Sequence, residues 1–411
     1  MKKEKTPNIR FKKFEHNWFK DCLSKVSNSI EYGLNASAKD FDGIHKYLRI
    51  TDIDDSSRLF LTDKLSSPDV NFTEEDYENY KLRFNDLLFA RTGASVGKTY
   101  LYRESDGEVY YAGFLIRARL HDSYDGNFIF QQTLTDKYKQ FIEITSQRSG
   151  QPGVNGKEYG DWKIGMTSYP EQSAIGSLFR TLDDLLASYK DNLANYQSLK
   201  ATMLAKMFPK AGQTVPEIRL DGFEGEWEVK ELGDVVKFYS GLTYKPSDVL
   251  SYGTLVLRSS NVRDSELIYI DNVFVNPDIV NCQNVKTGDI VVVVRNGSRD
   301  LIGKHALIRT EMPNTVIGAF MTGIRCDEPE FINALLDTKM FISEIHRNLG
   351  STINQITTGN FKRMKFYFPL KDEQQAIGSY FSNLDNLINS HQEKISQLET
   401  LKKKLLQDMF I

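Results

Sequence analysis

The chain is an internal tandem repeat, and this feature restricts the folds open to it more than any other. The segment PNIRFKKFEHNW at residues 7–18 returns as PEIRLDGFEGEW at residues 216–227. Farther along, EQSAIGSLFRTLDDLL from Glu171 matches EQQAIGSYFSNLDNLI from Glu373. Two of the three tryptophans, Trp18 and Trp227, coincide in the first match. Self-similarity over such a distance predicts two copies of one structural unit.

Each copy ends in a long stretch with helical periodicity. Apolar residues recur at steps of three or four through residues 171–208 and again through 372–410. A seam that lasts about four heptads is typical of a coiled coil, and each helix would be roughly 50 Å long. Residues predicted to lie in the seam or at a partner interface are Leu182, Leu185, Leu193, Leu199, Leu384, Leu387, Ile395 and Leu401.

The stretches before the helices mix short β-branched runs with glycines and aromatic residues. We predict strands at 46–53, 86–91, 109–119, 255–259, 289–295 and 320–325, and helices near 128–145 and 329–349. The fold class is therefore α+β: two similar globular domains, each followed by a long helix. The predicted division is domain 1 at 1–169, a helical region at 170–209, a linker at 210–215, domain 2 at 216–369 and a second helical region at 370–411.

Composition narrows the function classes. No apolar run approaches the roughly 20 residues of a membrane span, and three scattered cysteines build neither a disulfide framework nor a zinc site, so a cytoplasmic protein is expected. The net charge of −3 alone argues mildly against a nucleic-acid partner. Two segments are nevertheless basic. Residues 81–103 carry five basic side chains and one acidic, and residues 295–309 carry four basic side chains and one acidic. One face could therefore still attract a polyanion.

A pair of glycine-bearing loops is the most informative local feature. Gly93 and Gly97 resemble a nucleotide-binding loop, but three residues separate them where such a loop needs four. The second copy, between Gly297 and Gly303, has five, so nucleotide binding by these loops is unsupported. Each loop instead follows a strand with an arginine and precedes a Gly-Lys pair. Two interpretations of these loops stay open. They are either solvated hairpin turns, or loops whose amides and cations contact phosphates and base edges.

Polar loops at 147–151 and 350–355 occupy matching places and offer amides and hydroxyls of the kind that read adenine or the phosphate backbone, although ordinary turn capping is the favoured explanation for each individual residue. The candidate DNA-binding residues are Arg49, Arg91, Thr92, Ser95, Lys98, Gln151, Asn155, Arg258, Arg295, Asn296, Arg299, Lys304 and Asn354. The sequence contains no HExxH motif and no His/Cys spacing for zinc. We therefore predict no catalytic residue and no metal ligand in this chain.

Together these motifs resemble the specificity subunit of type I restriction–modification systems. The resemblance rests on the order domain, helix, domain, helix, on the motif P…EQ.AIG..F..LD.L at each helix start, and on Ile-Arg…Phe-Glu…Trp at each domain start. It covers nearly the whole chain. The resemblance implies two target recognition domains, each reading one half of a split, asymmetric sequence in double-stranded DNA.

The resemblance also implies partners and cofactors. The two helices of such a subunit pair antiparallel, set the spacer between half-sites, and dock two methyltransferase subunits, and two restriction subunits complete the complex. S-adenosylmethionine, ATP and Mg²⁺ would then belong to the partner chains, and this chain would be non-catalytic. Two alternatives remain: a protein-interaction scaffold, and the specificity module of a related methyltransferase system without a nuclease.

Overall fold

Two compact units make up the chain. The computed structural model describes residues 6–147, 150–349 and 354–411. Unit 1 comprises residues 1–191 together with 393–411, and unit 2 comprises residues 192–392. Of the predicted polar loops, Arg148, Ser149 and residues 350–353 lie outside the described residues, as do residues 1–5.

The first and last strands of unit 1 pair with each other, and a long helix follows the last one. Its strands are β1 (Phe19–Cys22), β2 (Ser27–Tyr32), β3 (Ala38–Asp40), β4 (Lys46–Leu48), β5 (Ser66–Pro68), β6 (Asp86–Ala90), β7 (Thr99–Leu101), β8 (Val109–Tyr111), β9 (Leu115–Leu120) and β10 (Lys163–Met166). Its helices are α1 (Gly126–Gln132), α2 (Asp136–Thr145), α3 (Gly156–Gly160) and the first part of α4 (Tyr169–Lys206).

Unit 2 repeats this order. Its strands are β11 (Glu228–Glu231), β12 (Lys237–Ser240), β13 (Val249–Leu250), β14 (Thr254–Leu257), β15 (Val262–Arg263), β16 (Glu266–Leu267), β17 (Val273–Val275), β18 (Ile290–Val293), β19 (His305–Leu307), β20 (Thr315–Ile317), β21 (Met321–Arg325) and β22 (Lys365–Phe368). Its helices are α5 (Leu232–Val235), α6 (Pro329–Leu336), α7 (Lys339–Asn348), α8 (Thr358–Arg363) and the first part of α9 (Lys371–Asp408).

Equivalent antiparallel sheets form the centre of both units. The strand order is β2-β9-β6-β7 in unit 1 and β12-β21-β18-β19 in unit 2. The opening strand of each unit pairs antiparallel with the strand before the long helix, β1 with β10 and β11 with β22. The central strands β6 and β18 are buried throughout, as continuous apolar runs predict. The predicted α+β class is confirmed.

Three predicted elements, the strand at 109–119 and the helices at 128–145 and 329–349, are interrupted where the sequence suggested one piece. The strand expected at 109–119 breaks into β8 and β9, because Gly33 brings strand β2 against the backbone there: a Cβ on Gly33 would lie 2.2 Å from the carbonyl oxygen of Ala112. The helix expected at 128–145 breaks into α1 and α2, because the hydroxyl of Thr135 accepts a hydrogen bond from the Tyr138 amide and starts a new helix. Thr338 starts α7 in the same way.

The last aromatic residue of each long helical stretch is buried in a matched aromatic cluster. In unit 1, Phe410 lies among Trp18, Phe128 and Phe179, with ring centroids 5.5–6.3 Å apart. In unit 2, Phe208 lies among Trp227, Phe331 and Phe381, at 5.7–6.1 Å. Each unit therefore buries the end of the helix that begins in the other repeat, which explains the repeated Met-Phe pair.

Both helix starts are tied to their unit by a buried ion pair. Arg10 donates from Nε and Nη2 to the two carboxylate oxygens of Glu171, at 2.6 and 2.8 Å. Arg219 makes the same fork with Glu373, at 2.8 and 2.7 Å. Burial alone would raise the pKa of Glu171, but the Arg10 fork and the Thr167 hydroxyl outweigh it and lower that pKa. The repeated Ile-Arg and Glu-Gln motifs thus meet in space.

The long helices run antiparallel within each unit. In unit 1, Asp183 pairs with Lys402 at 2.5 Å and Lys190 pairs with Glu399 at 2.7 Å. Residue numbers therefore rise along one helix while they fall along the other. In unit 2, the Tyr196 ring contacts the His391 ring at 5.1 Å. Of the predicted seam residues, Leu182 and Leu384 are buried and Leu193 and Ile395 half-buried, whereas four are exposed: Leu185, Leu199, Leu387 and Leu401. No helix in the described residues is long and apolar enough to cross a membrane.

A buried charge network distinguishes unit 2. Lys200 Nζ lies 2.6 Å from carboxylate oxygens of both Asp337 and Asp385, and His305 Nε2 lies 3.3 Å from Asp337. Burial alone would raise the pKa of Asp337, but His305 and Lys200 outweigh it and hold that pKa well below its usual range. Burial raises the pKa of Asp385. Unit 1 keeps the equivalent lysine–aspartate pair, Lys402 with Asp183, but has the neutral hydroxyls of Thr99 and Thr133, 2.7 Å apart, beside the sheet.

We predict that this network makes unit 2 acid-sensitive. A depressed folded-state pKa stabilises the fold above the unfolded carboxyl value of about 3.9, and that stabilisation is lost as the pH falls below it. The raised pKa of Asp385 acts in the opposite direction, so the test isolates Asp337. Between roughly pH 5 and 3, thermal melting should show a shallower loss of stability in Asp337→Asn than in the unsubstituted protein. Equal slopes would contradict the assignment.

Candidate nucleic-acid interface

Four predicted residues of unit 1 line one surface cavity. Arg91 and Thr92 follow strand β6, and Thr92 forms a β-bridge with Gly153. The amide of Val154 donates to the Arg91 carbonyl at 2.9 Å, which holds the two loops together. The cavity, of about 800 Å³, is lined in part by the predicted residues Arg49, Arg91, Thr92 and Gln151. Asn155 lies beside it, in a shallower depression shared with Arg91, Thr92 and Gln151.

Arg91 lies between two aromatic rings. Its guanidinium carbon is 5.2 Å from the Tyr32 ring and 5.9 Å from the Phe114 ring, both within cation–π range. Nη1 donates one long hydrogen bond, 3.4 Å, to the Gly113 carbonyl. Most of the donor capacity of this guanidinium therefore remains for a ligand. Phe114 is 62% exposed although it is a large apolar side chain.

Unit 2 repeats the arginine and the exposed ring. The guanidinium of Arg295 lies 4.9 Å from the Phe320 ring, and Phe320 is 53% exposed. The backbones correspond too, since the Arg91 amide donates to the Phe114 carbonyl and the Arg295 amide donates to the Phe320 carbonyl. Arg295 forms a β-bridge with Gln355, as Thr92 does with Gly153. Both units thus present an arginine and a phenylalanine where a central strand ends.

The neighbouring asparagines of unit 2 brace its loops. Asn296 Nδ2 donates to the Ser259 hydroxyl at 2.9 Å, and Asn354 Nδ2 donates to the Gly297 carbonyl at 3.0 Å. In unit 1, the side-chain oxygen of Asn155 accepts from the Glu158 amide and starts helix α3. The capping role that competed with base contact is therefore present at Asn155.

Arg49 and Arg258 occupy equivalent one-turn helix starts. Arg49 makes a two-bond fork to Asp52, at 2.8 and 2.9 Å, and its side chain is 40% exposed. Arg258 instead donates to the Asp271 carbonyl at 2.6 Å. Each therefore already has an internal partner.

The remaining candidates are separated from this cavity. Ser95 and Lys98 line a different cavity of unit 1. Lys98 is 8% exposed, and its ammonium contacts Asp55 at 2.5 Å and the Ile53 carbonyl at 3.0 Å. Lys98 is thus a buried and internally paired cation, which favours internal support of the loop, and its predicted DNA contact stays a prediction. Its repeat equivalent Lys304 is exposed, as is Arg299.

This difference predicts opposite outcomes for two matched substitutions. Lys304→Gln should lower the salt dependence of DNA binding by about one unit of slope if its ammonium neutralises one phosphate. Lys98→Gln should leave that slope unchanged and lower the melting temperature, because its partners lose a buried cation. Affinity titrations at several salt concentrations, with thermal melts, measure both quantities. A reduced slope for Lys98→Gln with unchanged melting would contradict the structural role.

The sequence did not identify the aromatic residues of this site. Tyr32, Phe114 and Phe320 read as ordinary strand or turn residues, since exposure cannot be seen in a single aromatic letter. Glycine gave the available clue: Gly33 and Gly241 both stand where a Cβ would lie 2.2 Å from a backbone oxygen. The residues approached, Ala112 and Gly318, stand two positions before Phe114 and Phe320.

Comparison with known proteins found a family model that matches part of the chain and relatives that match most of its length. Residues 224–400 match a family described as the type I restriction modification DNA specificity domain. The type I restriction enzyme MjaVIII specificity subunit of Methanocaldococcus jannaschii is 23% identical over 383 residues, 90% of this chain and 85% of the relative. The putative MjaX specificity subunit of the same organism is 22% identical over 410 residues, 94% and 90% of the two chains.

A solved structure shares the fold over the full length. The crystal structure of a type I restriction-modification system S subunit from M. genitalium superposes with a TM-score of 0.69 at 16% identity, covering 99% of both chains. Its likeness extends to the repeat of domain and helix that the sequence motifs indicated. In a domain match over residues 224–400, in relatives that cover most of its length and in its fold, the chain is similar to type I restriction–modification specificity subunits.

Proposed function

We propose that this chain reads a bipartite, asymmetric sequence in double-stranded DNA, with one globular domain for each half-site. The observation that carries the proposal is the repeated pair of arginine and exposed phenylalanine, Arg91 with Phe114 and Arg295 with Phe320. An arginine can bind guanine or a phosphate through two hydrogen bonds, and an exposed ring offers an apolar contact to a base.

Differences between the two sites support unequal half-sites. In unit 1, the arginine is accompanied by Tyr32 and Gln151, whereas in unit 2 it is accompanied by Asn296 and Asn354. The adjoining glycine loops also differ in length. Two sites with a common frame and different polar neighbours would read different bases from a common orientation on the groove.

The role proposed for the chain is non-catalytic. The methyltransferase and restriction subunits would supply catalysis, together with S-adenosylmethionine, ATP and Mg²⁺. Four exposed leucines support docking of such partners: Leu185 and Leu387 are 42% and 41% exposed, and Leu199 and Leu401 are 42% and 44% exposed. These are two repeat-related pairs, so two copies of one partner would find equivalent apolar contacts.

A genome-wide map of methylated adenines would test the proposal. The chain is co-expressed with its methyltransferase subunit, and methylated positions are compared with those of cells that lack this chain. We expect a split motif with two unlike halves that disappears when the chain is omitted. Complex formation without new methylation would contradict DNA reading and favour a scaffold.

A further inference from the structure

A second cavity of unit 1 is not used by the proposed DNA interface. It has a volume of about 850 Å³, within the range of small-molecule sites. The turn around Arg58, the loop at Gly97, helix α2 and both long helices contribute to its walls. None of the residues that line the cavity at Arg91 and Gln151 also lines this one. It is therefore a separate feature of the same unit.

The walls of this cavity are basic. Seven lysines and arginines line it against four aspartates and glutamates, a formal excess of three positive charges. Four of the lysines are occupied, as Lys98 pairs with Asp55, Lys139 with Asp136, Lys190 with Glu399 and Lys402 with Asp183. Among the described residues, no hydrogen bond or ion pair engages the side chains of the other three: Arg58, Arg103 and Lys403.

Arg58 is held in an unusual position. Its backbone φ of 60° lies in the left-handed region, which a non-glycine residue adopts at a cost. The Asp54 carboxylate fixes this turn by accepting hydrogen bonds from the Ser56 and Ser57 amides. Burial lowers the pKa of Arg58, and the nearby charges of Asp55 and Asp54 offset only part of that effect. Strain combined with an unpaired, half-buried cation indicates a binding residue rather than a structural one.

The equivalent place in unit 2 has different chemistry. Its cavity is about 290 Å³ and is lined by Asp264, Asp300 and Asp337, with Lys304 as the one lysine and no arginine among the described lining residues. Asp264 and Ser265 stand there with positive φ, as Arg58 does in unit 1. The common frame has therefore acquired cations in one repeat and carboxylates in the other. Only the unit 1 cavity suits an anion.

We propose that the unit 1 cavity binds a small phosphate-bearing molecule, with its phosphates at Arg58, Arg103 and Lys403. Guanidinium groups favour phosphate because their fork matches two oxygens. The apolar wall, which includes Leu134 and Leu406, gives the rest of the molecule a surface to pack against. A ligand with a diphosphate and an organic part, such as a nucleoside diphosphate, fits both features. Glu143 also lines the cavity, and its carboxylate favours a position for the phosphates nearer the three cations.

Calorimetry on the full chain tests this site with two probes, pyrophosphate and adenosine diphosphate, at constant ionic strength. We expect one saturable site per chain, and adenosine diphosphate should bind more tightly than pyrophosphate. Arg58→Gly should weaken both at least about tenfold, as expected when a charge-assisted phosphate contact is lost. Because glycine accepts the left-handed backbone, this variant should also melt no lower than the unsubstituted protein.

A neighbouring lysine supplies the matched control. Lys404 follows Lys403 on the same helix and does not line the cavity, so Lys404→Gln should change the affinity for pyrophosphate less than twofold. A short DNA duplex is the third probe, and Arg58→Gly should leave its affinity unchanged. The proposal is overturned if neither small probe saturates, if Lys404→Gln weakens binding as much as Arg58→Gly, or if Arg58→Gly weakens only duplex binding.

Discussion

Arg219→Ala should destabilise unit 2 by about 3–5 kcal/mol, the usual cost of removing one partner from a buried ion pair. Glu373 is 1% exposed, and both of its carboxylate oxygens accept hydrogen bonds from Arg219. Alanine would leave that carboxylate charged and unpaired in the interior, at the start of helix α9. Protection of unit 2 amides in native-state hydrogen exchange measures the loss, since local opening energies report the stability of each part of a chain.

The reciprocal substitution should cost less. Arg219 also donates to the carbonyls of Glu224 and Gly225, and its side chain is 16% exposed. Glu373→Gln therefore keeps the shape of the pair and leaves a cation that retains other acceptors. Arg10→Ala is the matched change in unit 1, where amides of unit 1 should lose protection instead. If amide protection in all three variants equals that of the unsubstituted protein, these ion pairs do not hold the helix starts.

The repeat carried most of what sequence could predict about the fold. Matching letters at Arg10 and Arg219, and at Glu171 and Glu373, marked both members of each fork, because a duplicated contact preserves both partners. The same holds for the Met-Phe pair that ends each long helical stretch. Helix bounds were within two residues of prediction, because heptad periodicity continues without interruption.

Pairing across the repeats was beyond sequence comparison of the repeats alone. Phe208 belongs to the first repeat and packs in unit 2, whereas Phe410 belongs to the second and packs in unit 1. The difference in residue number between matching positions of the two repeats is the same whether the end of a helix packs in its own domain or in the other one. The antiparallel helix arrangement was expected from the family resemblance, and the contacts within each unit agree with it.

The site was predicted in part for an identifiable reason. Arginines next to glycine loops mark candidate contacts, and Arg91 and Arg295 are indeed placed alike in the two units. Whether a basic side chain is already neutralised depends on partners distant in sequence, as Lys98 shows with the Ile53 carbonyl. The exposure of Phe114 and Phe320 is likewise a property of the folded chain that no local sequence pattern records.

Arg91→Ala and Arg295→Ala should each relax the sequence preference of a different half-site. A side chain that reads a base through two hydrogen bonds contributes about 1–3 kcal/mol of discrimination, so each change should weaken binding to the preferred sequence by roughly 5- to 150-fold. The described contacts of Arg91 all lie in unit 1 and those of Arg295 in unit 2. Since the two residues share no partner, the double variant should show the sum of the two losses.

Methylation maps of the two single variants distinguish base reading from backbone contact. If the arginines read bases, each variant makes one half of the split motif degenerate and leaves the other half intact. Arg91→Ala and Arg295→Ala should then affect opposite halves. Loss of a phosphate contact weakens every sequence alike and lowers the salt slope by about one. Arg83→Ala is the control, because Arg83 belongs to the same basic segment, is 58% exposed and does not line the cavity. An unchanged motif and unchanged affinity in both variants would remove the two arginines from the DNA interface, and with them the observation on which one-domain-per-half-site reading depends.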